Sequence, residues 1–480
     1  MKFLPFKQGW KLKCGVLLAL CISNAYAAEN AGNNTEDRIA KLQKMLEEQQ
    51  WQMKAMAEEL TALQQGRSND KGKSKGSPVY AAFKDGLVFD DGSGDWKLQL
   101  NGRIQADYRS FSPDEWKNDG FFIRRARLGG TFSFLNDFAL RVEGEYNNVS
   151  DGSKATTALT YGYLDYAKWK GAKIRVGQFK PTFGLERAQS SNFTDFTEQS
   201  LATNNGSIFN SSYDRGLMVF GDPLPWLNYN AYYVNGSGQN NDDIKDSKDI
   251  GARVNANLAQ FTDRKNLVLH VGTSASKGSI DSSSTSKSIK QSTEGSGVEF
   301  FNIANIANTA TNTSITDRTR FGLEAAVAYG PVKFQSEYIQ ANFEGKQGLA
   351  APGVAYDNDI KTWYADINWL VTGEAYADAY KSGVFGRVKP KNNLDDKTGW
   401  GAFELGLRYS KFDASDFEAI KTADTATEAD AWTVGAKWLF NPNARLVLNY
   451  IRTDFDNAIV VKNKREDSEQ AVNLRAQYDF

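Results

Sequence analysis

The final ten residues constrain the fold more than any other stretch. Val472, Leu474, Ala476, Tyr478 and Phe480 are apolar, and Asn473, Arg475, Gln477 and Asp479 between them are polar. A period of two places one set on each face of an extended strand, so one face meets oil and the other water. Carried through to a terminal Phe, the pattern suits the closing strand of a transmembrane β-barrel, where lipid-facing and lumen-facing residues alternate. Such a chain is expected to form a pore, whose chemistry is selection rather than bond breaking.

The same alternation recurs upstream. Trp96, Leu98, Leu100, Gly102, Ile104, Ala106 and Tyr108 interleave with Lys97, Gln99, Asn101, Arg103, Gln105, Asp107 and Arg109. With that first strand, the pattern predicts others near 120–134, 138–147, 157–169, 172–180, 214–221, 226–234, 248–258, 266–274, 318–329, 332–343, 359–370, 399–412, 430–440, 445–455 and 468–480, sixteen in all. An even count with both termini on one side is what a bacterial antiparallel barrel requires. Short connections such as Leu135-Asn136-Asp137, Lys170-Gly171, Gly330-Pro331 and Asn441-Pro442-Asn443 carry turn residues and are expected to face the periplasm. Long polar ones, 184–213, 235–247, 275–317, 344–358, 413–429 and 456–467, are expected to face outward. Residues 371–398 break the alternation, because a long segment falls where a short turn belongs. A strand pair hidden there would raise the count to eighteen. Composition leaves open whether 184–213 stays at the surface or folds into the lumen.

Ahead of the barrel lie two other segments. Residues 1–27 read as a signal peptide, with Lys2, Lys7, Lys11 and Lys13, a short apolar core from Cys14 to Ile22, and Ala25-Tyr26-Ala27 before the cleavage point. Leu20 is bulky where a lipid-modified Cys21 would need a small neighbour. Within 28–77, Ile39, Leu42, Leu46, Gln49, Met53, Met56, Leu60 and Leu63 follow alternating spacings of 3 and 4. That is a coiled-coil seam, followed by a polar Gly/Ser/Lys linker at 66–77, and it predicts an oligomeric periplasmic helix. The barrel then occupies 78–480.

Composition excludes several functions. Both cysteines, Cys14 and Cys21, lie in the signal segment, and His270 is the sole histidine. Disulfides, Cys metal sites and His-rich sites therefore have no raw material, and no cofactor is expected. Within Leu267-Val268-Leu269-His270-Val271 the histidine reads as a wall residue. An outer-membrane hydrolase would need a positioned nucleophile and base, and His270 has no evident partner. Mean hydropathy is −0.53 and no apolar run spans a bilayer as a helix. Without the four signal lysines, 53 basic residues face 58 acidic ones, so the bulk charge attracts neither nucleic acid nor anionic lipid.

Any preference for anions must come from where the charges sit. Parity puts Lys97, Arg103, Arg109, Arg125, Arg127, Arg141, Lys173, Arg175, Arg253, Arg320, Lys333, Arg408, Lys437, Arg445 and Arg475 on the wet face. It places Asp107, Glu143, Glu145, Asp249, Glu324, Glu337, Asp366, Glu404 and Asp479 there too, nine acids against fifteen bases. A cationic lining between low-dielectric walls attracts anions. The densest cluster is Phe121-Phe122-Ile123-Arg124-Arg125-Ala126-Arg127. Guanidinium forks suit oxyanions, but the same arginines could brace the wall against Glu143 and Glu145. Arg124 has outward parity and requires a bulge or an interfacial position.

These residues resemble a family. Lys97-Leu98-Gln99-Leu100-Asn101-Gly102-Arg103-Ile104-Gln105, Phe122-Ile123-Arg124-Arg125-Ala126-Arg127, Gly177-Gln178-Phe179-Lys180-Pro181-Thr182-Phe183-Gly184-Leu185-Glu186 and Trp400-Gly401-Ala402-Phe403-Glu404-Leu405-Gly406 are similar to segments of the phosphate-selective porins O and P. The resemblance implies a sixteen-stranded homotrimeric barrel in the bacterial outer membrane, a passive path for phosphate-like anions, and contact with outer-membrane lipid. It implies an anion contact at Arg124, Arg125 and Arg127, with Lys180 and Arg187 added from the strand end and loop. Arg103, Arg109, Arg141, Arg175, Arg253, Arg320, Arg408 and Arg475 would line the pore. One departure is Lys180, which stands where an acidic residue is expected in the phosphate-selective members. The alternative is a general diffusion porin of mixed selectivity.

Overall fold

Sixteen antiparallel strands close on themselves in this computed structural model. It describes Lys44, Glu48 and residues 79–480 except 84–85, 115, 149–154, 210, 244–246, 282–286, 308–314, 348–353 and 396. The strands are β1 (Trp96–Ser112), β2 (Gly120–Phe134), β3 (Phe138–Asn148), β4 (Thr156–Trp169), β5 (Ala172–Phe179), β6 (Asp214–Leu224), β7 (Leu227–Val234) and β8 (Asp249–Asn257). They continue as β9 (Leu267–Asp281), β10 (Ile315–Tyr329), β11 (Val332–Gln347), β12 (Val354–Leu370), β13 (Ala402–Asp413), β14 (Glu428–Leu439), β15 (Ala444–Val461) and β16 (Lys464–Asp479). Each pairs with the next, and β16 pairs with β1 from Gln470↔Ser112 to Asp479↔Arg103. Closure leaves no exposed edge, which lipid would not tolerate.

The terminal residue completes the seam. Phe480 and Gly102 exchange both backbone hydrogen bonds at 3.0 Å. A Cβ on Gly102 would come within 2.8 Å of the Phe480 ring, so only glycine admits that ring against the strand. Below this point Leu87–Asp90, one arm of a hairpin with Tyr80–Phe83, takes over the free edge of β1.

Alternation sorts the side chains as expected. Outward residues such as Val472, Leu474 and Tyr478 are exposed, while Asn473, Arg475 and Asp479 are buried inside. Outward aromatics gather in two bands. Near the short turns, Phe132, Phe134, Phe138 and Tyr166 form a chain of ring contacts, as do Phe403, Trp438 and Phe440. Near the other rim lie Trp363, Tyr409 and Trp432. Two such girdles are the signature of a barrel seated in a membrane.

Three connections differ from the sequence-based expectation. Residues 371–398 contribute no strand to the barrel, so the count stays at sixteen. They form a turn at Tyr376–Ala379 and a two-residue ribbon, Tyr380–Lys381 with Val384–Phe385. This segment packs inside the wall. The Tyr380 hydroxyl is 2.7 Å from Nδ1 of His270, Arg253 donates to the Gly383 carbonyl at 2.9 Å, and the Lys333 ammonium sits 4.8 Å from the Phe385 ring. Residues 275–317 are not one outward loop. β9 runs on to Asp281, and a second hairpin, Lys287–Ser292 with Glu299–Ala307, buries Ile289, Phe300, Phe301, Ile303 and Ile306. Residues 456–467 are not a loop at all. β15 and β16 extend through them to a two-residue turn at Lys462-Asn463, with φ of 51° and 64°. Positive φ at both positions gives the turn whose twist matches a hairpin. A bulge between Asp454 and Ile459 shifts the alternation and hid this extension from a period-two reading.

The expected coiled coil lies outside the described residues apart from Lys44 and Glu48, which are helical.

Candidate functional site: a cationic constriction

One extra residue in β2 creates the site. Gln105 of β1 pairs with Arg125, but its neighbour Ala106 pairs with Ile123, so Arg124 is bulged out of the ladder. A bulge re-aims side chains. Here it turns both Arg124 and Arg125 toward the lumen, which resolves the outward parity of Arg124.

The loop after β5 supplies the opposite wall. Gly184 takes φ of 69°, and the chain turns inward through a short helix, Leu185–Ala188. The backbone N–H groups of Leu185 and Glu186 donate to the Glu337 carboxylate on β11 at 2.8 and 2.6 Å. The loop then crosses the lumen. Arg103 on β1 donates to Ser191 Oγ at 2.8 Å, Lys333 on β11 pairs with Asp195 at 2.6 Å, and Thr197 N–H donates to Asn449 on β15 at 2.7 Å. Residues 184–213 therefore fold inside the barrel. The 287–307 hairpin crosses above. Its turn residue Glu294 accepts from Arg408 at 2.7 Å and from Ser410 and Thr433, all on the inner wall.

Three cavities lie along the remaining space and share Arg127 and Tyr213. A vestibule of about 790 Å³ opens at the long-loop end, where Lys117, Asn147 and Gln239 line it. A cavity of about 350 Å³ lies toward the short-turn end, beside Thr131, Arg141, Arg387 and Phe480. Between them the path narrows to about 50 Å³, bounded by Arg125, Arg127 and Lys180 and by Gln189, Ser191, Thr194, Thr197, Glu198 and Tyr213 from the loop.

The arginines divide by partner. Arg475 pairs with Asp107 at 2.7 Å and Glu198 at 3.0 Å, Arg109 with Asp107 at 2.8 Å and Glu198 at 2.5 Å, and Arg124 with Glu198 at 2.7 Å. Glu198 is thus the hub of a cationic cluster. Burial alone would raise its pKa, but Arg124, Arg109 and Arg475 outweigh it and hold the carboxyl well below its ordinary range. Arg127 pairs with Glu145 at 2.7 Å and lies 3.6 Å from Glu143, so wall bracing holds for this residue. Arg141 pairs with Glu143, Arg175 with Asp165, Arg253 with Glu324, and Arg408 with Glu186 and Glu294. Arg320 donates to Ser276 Oγ and the Ile208 carbonyl.

Arg125 and Lys180 are different. Arg125 donates to Oε1 of Gln105 at 2.8 Å and Lys180 to the Gln189 carbonyl at 3.1 Å. Among the described residues neither has a carboxylate within ion-pair distance. Burial lowers the Lys180 pKa well below the lysine range, and Arg187, Arg127, Arg125 and Arg103 lower it further. Both are half-buried, cations that lack counter-charge are costly to withdraw from water, and an anion in the gap would relieve that cost. Arg187 takes another place. It donates to the Thr203 and Ser211 carbonyls at 2.8 and 2.9 Å, stacks 4.1 Å from the Phe209 ring, and lines a neighbouring cavity beside Arg318 and Arg320. So the structure brings Arg125, Arg127 and Lys180 together at the narrowest point, with Arg103 on the short-turn side. Arg124 is turned toward Glu198 and Arg187 toward the loop's own backbone.

Glu198, Gln189 and Tyr213 are missing from the sequence-based site. They sit in a Ser/Asn/Thr-rich loop with no periodicity, so no local pattern marks which side chains face the gap.

Comparison with known proteins follows from this geometry. The family model described as phosphate-selective porin O and P matches residues 98–480. Porin O of Pseudomonas aeruginosa is 26% identical over 435 residues, covering 84% of this chain and 93% of that relative. Among solved structures, the outer membrane channel DcaP of Acinetobacter baumannii aligns with a TM-score of 0.50 at 11% identity, over 81% of this chain and 98% of that one. An anion-selective porin from Comamonas acidovorans aligns with a TM-score of 0.49 at 13% identity, over 80% and 100% of the two chains.

Proposed function

The chain belongs to the phosphate-selective porin O and P family, and from that premise we propose that it is a bacterial outer-membrane porin conducting small anions passively, phosphate-like oxyanions first. The observation that carries this is the constriction, where Arg125 and Lys180 face a narrow gap without carboxylate partners among the described residues, while Arg109, Arg124, Arg127 and Arg475 are each paired with one. The paired arginines hold the loop against the wall, and the two cations without carboxylate partners are left for the solute. A solute must be bound firmly enough to enter and weakly enough to leave. The hydroxyls of Ser191, Thr194 and Thr197 give neutral hydrogen bonds, which serve that balance.

The rest of the reading is as follows. Residues 1–27 are a signal peptide, and 28–77 form a periplasmic coiled coil and linker. The protein is a homotrimer. No step of bond making or breaking is involved.

The test is phosphate block of chloride current through purified channels in planar bilayers. Arg125→Ala should weaken the block about tenfold, since a hydrogen bond to a charged group contributes roughly 1.5–3 kcal/mol, while the channels assemble and unfold as wild type. Unchanged block with a lowered unfolding temperature would make Arg125 a strut of the wall and place selectivity elsewhere.

A further inference from the structure

Gln189 presents a side-chain amide to the constriction that no group among the described residues satisfies. It closes the helix Leu185–Ala188, and its backbone is held on both sides. Its N–H donates to the Leu185 carbonyl at 3.1 Å, and its own carbonyl accepts from Lys180 Nζ at 3.1 Å. The backbone from which the side chain springs is therefore held in place. It is 1% exposed, yet both Nε2 and Oε1 lack a hydrogen-bond partner. It lines both the small cavity beside Arg125 and Lys180 and the larger one toward the short turns. Buried polar groups are normally paired, and an exception demands an explanation.

The charged neighbours of that amide, Glu198 apart, are donors. Arg125, Arg127 and Lys180 carry only N–H groups. Tyr213 accepts from Arg127 at 2.7 Å, which leaves its own O–H hydrogen for the gap that its ring lines. Among the groups lining the gap, Gln189 offers a side-chain oxygen, Oε1, to which no described residue donates. Glu198, the carboxylate there, is already taken by Arg109, Arg124 and Arg475.

We propose that Gln189 reads the proton on the permeating anion: Nε2 donates to an anion oxygen, and Oε1 accepts from an O–H that the anion itself carries. The site then favours oxyanions that keep a proton at neutral pH, such as hydrogen phosphate, over fully deprotonated ones of the same shape and charge, such as sulfate. Sulfate would set oxygen lone pairs against Oε1, and a buried acceptor left facing an acceptor is the kind of mismatch that gives strong discrimination. This rests on the anion-porin reading above, and it adds a chemical criterion that charge alone cannot supply.

The experiment measures block of chloride current by phosphate and by sulfate at neutral pH. Wild type should be half-blocked by phosphate at a concentration roughly tenfold or more below that for sulfate, the scale of one hydrogen bond gained against one frustrated. Gln189→Met keeps length and volume but neither polar atom, and should bring the two half-blocking concentrations within about twofold. Gln189→Glu keeps the acceptor and loses the donor, so it should weaken both blocks yet preserve the preference for phosphate. Equal block by the two anions in wild type, or a ratio unchanged in Gln189→Met, overturns the proposal. If Gln189→Met does not assemble, loss of the preference in Gln189→Glu overturns it instead. Cation preference in wild-type reversal potentials would be a failure of the anion-porin reading, and is separable because it needs no blocker.

Discussion

Arg124 and Arg125 are adjacent in sequence, and a single bulge gives them different roles. Arg124 joins Glu198 and helps anchor the loop, while Arg125 is held only by the neutral Gln105 and keeps its charge for the gap. Lys180 is held in the same way, by a carbonyl. Its pKa is depressed first by burial and then by the arginines around it, so its charge is lost at lower pH than that of an ordinary lysine. The sign follows directly: a cation with a lowered pKa neutralises as pH rises, and the anion preference should fall before pH reaches the ordinary lysine range. Reversal potentials recorded against pH should show this step in wild type and not in Lys180→Arg, because the guanidinium stays charged. An identical profile in both would remove Lys180 from the field that the solute meets. The density of arginines at 124–127 was legible in the sequence, and so was the need for a bulge. Which arginine would be left unpaired was not, because that depends on Glu198, which lies 74 residues from Arg124 and is brought there by the loop.

At the scale of elements, the wall was easy to read and its contents were not. Strict alternation in Trp96–Arg109 and Val472–Phe480 fixes strand, face and lipid contact together, because one slip in register would turn every charge outward. Loops carry no such constraint. Ser, Asn and Thr are equally at home in a watery lumen and on the outer surface, so composition could not place 184–213. The 287–307 hairpin did carry a signal, the apolar positions Phe300, Phe301, Ile303 and Ile306, set within a polar stretch. The segment 371–398 reads as a long turn and is one, but it turns up into the barrel and packs Tyr376 and Phe385 there. Because Arg125, Arg127 and Lys180 are positioned by β1, β2, the end of β5 and the 184–213 loop, the hairpin should govern width more than selectivity. Replacing 288–306 with a short Gly-Ser turn should raise single-channel conductance severalfold and leave the sign of the reversal potential unchanged. A reversed sign would show that the hairpin, through Glu294 and its contact with Arg408, sets the field as well.

For the whole molecule, the governing fact is a contrast of charge. The chain carries more acids than bases, and acids and bases are both buried on the inner face, but at the constriction Arg125 and Lys180 lack, among the described residues, the carboxylate partners that Arg109, Arg124, Arg127 and Arg475 have. Closure of the barrel by β16 on β1 makes that inner face a tube and gives its charge a direction. A closed barrel whose strands pair around the whole ring should also resist detergent. The proposed trimer is expected to migrate differently on a gel before and after boiling, and identical monomeric migration would count against both the assembly and the barrel. The central claim is that the path selects for anions, and the most direct measurement of it is the zero-current potential across a bilayer holding wild-type channels in a potassium chloride gradient at neutral pH. The sign should report chloride as the more permeant ion, and the preference should shrink toward 1 M salt, where the screening length falls to about 3 Å. A potential of the opposite sign, with potassium more permeant, would contradict the account.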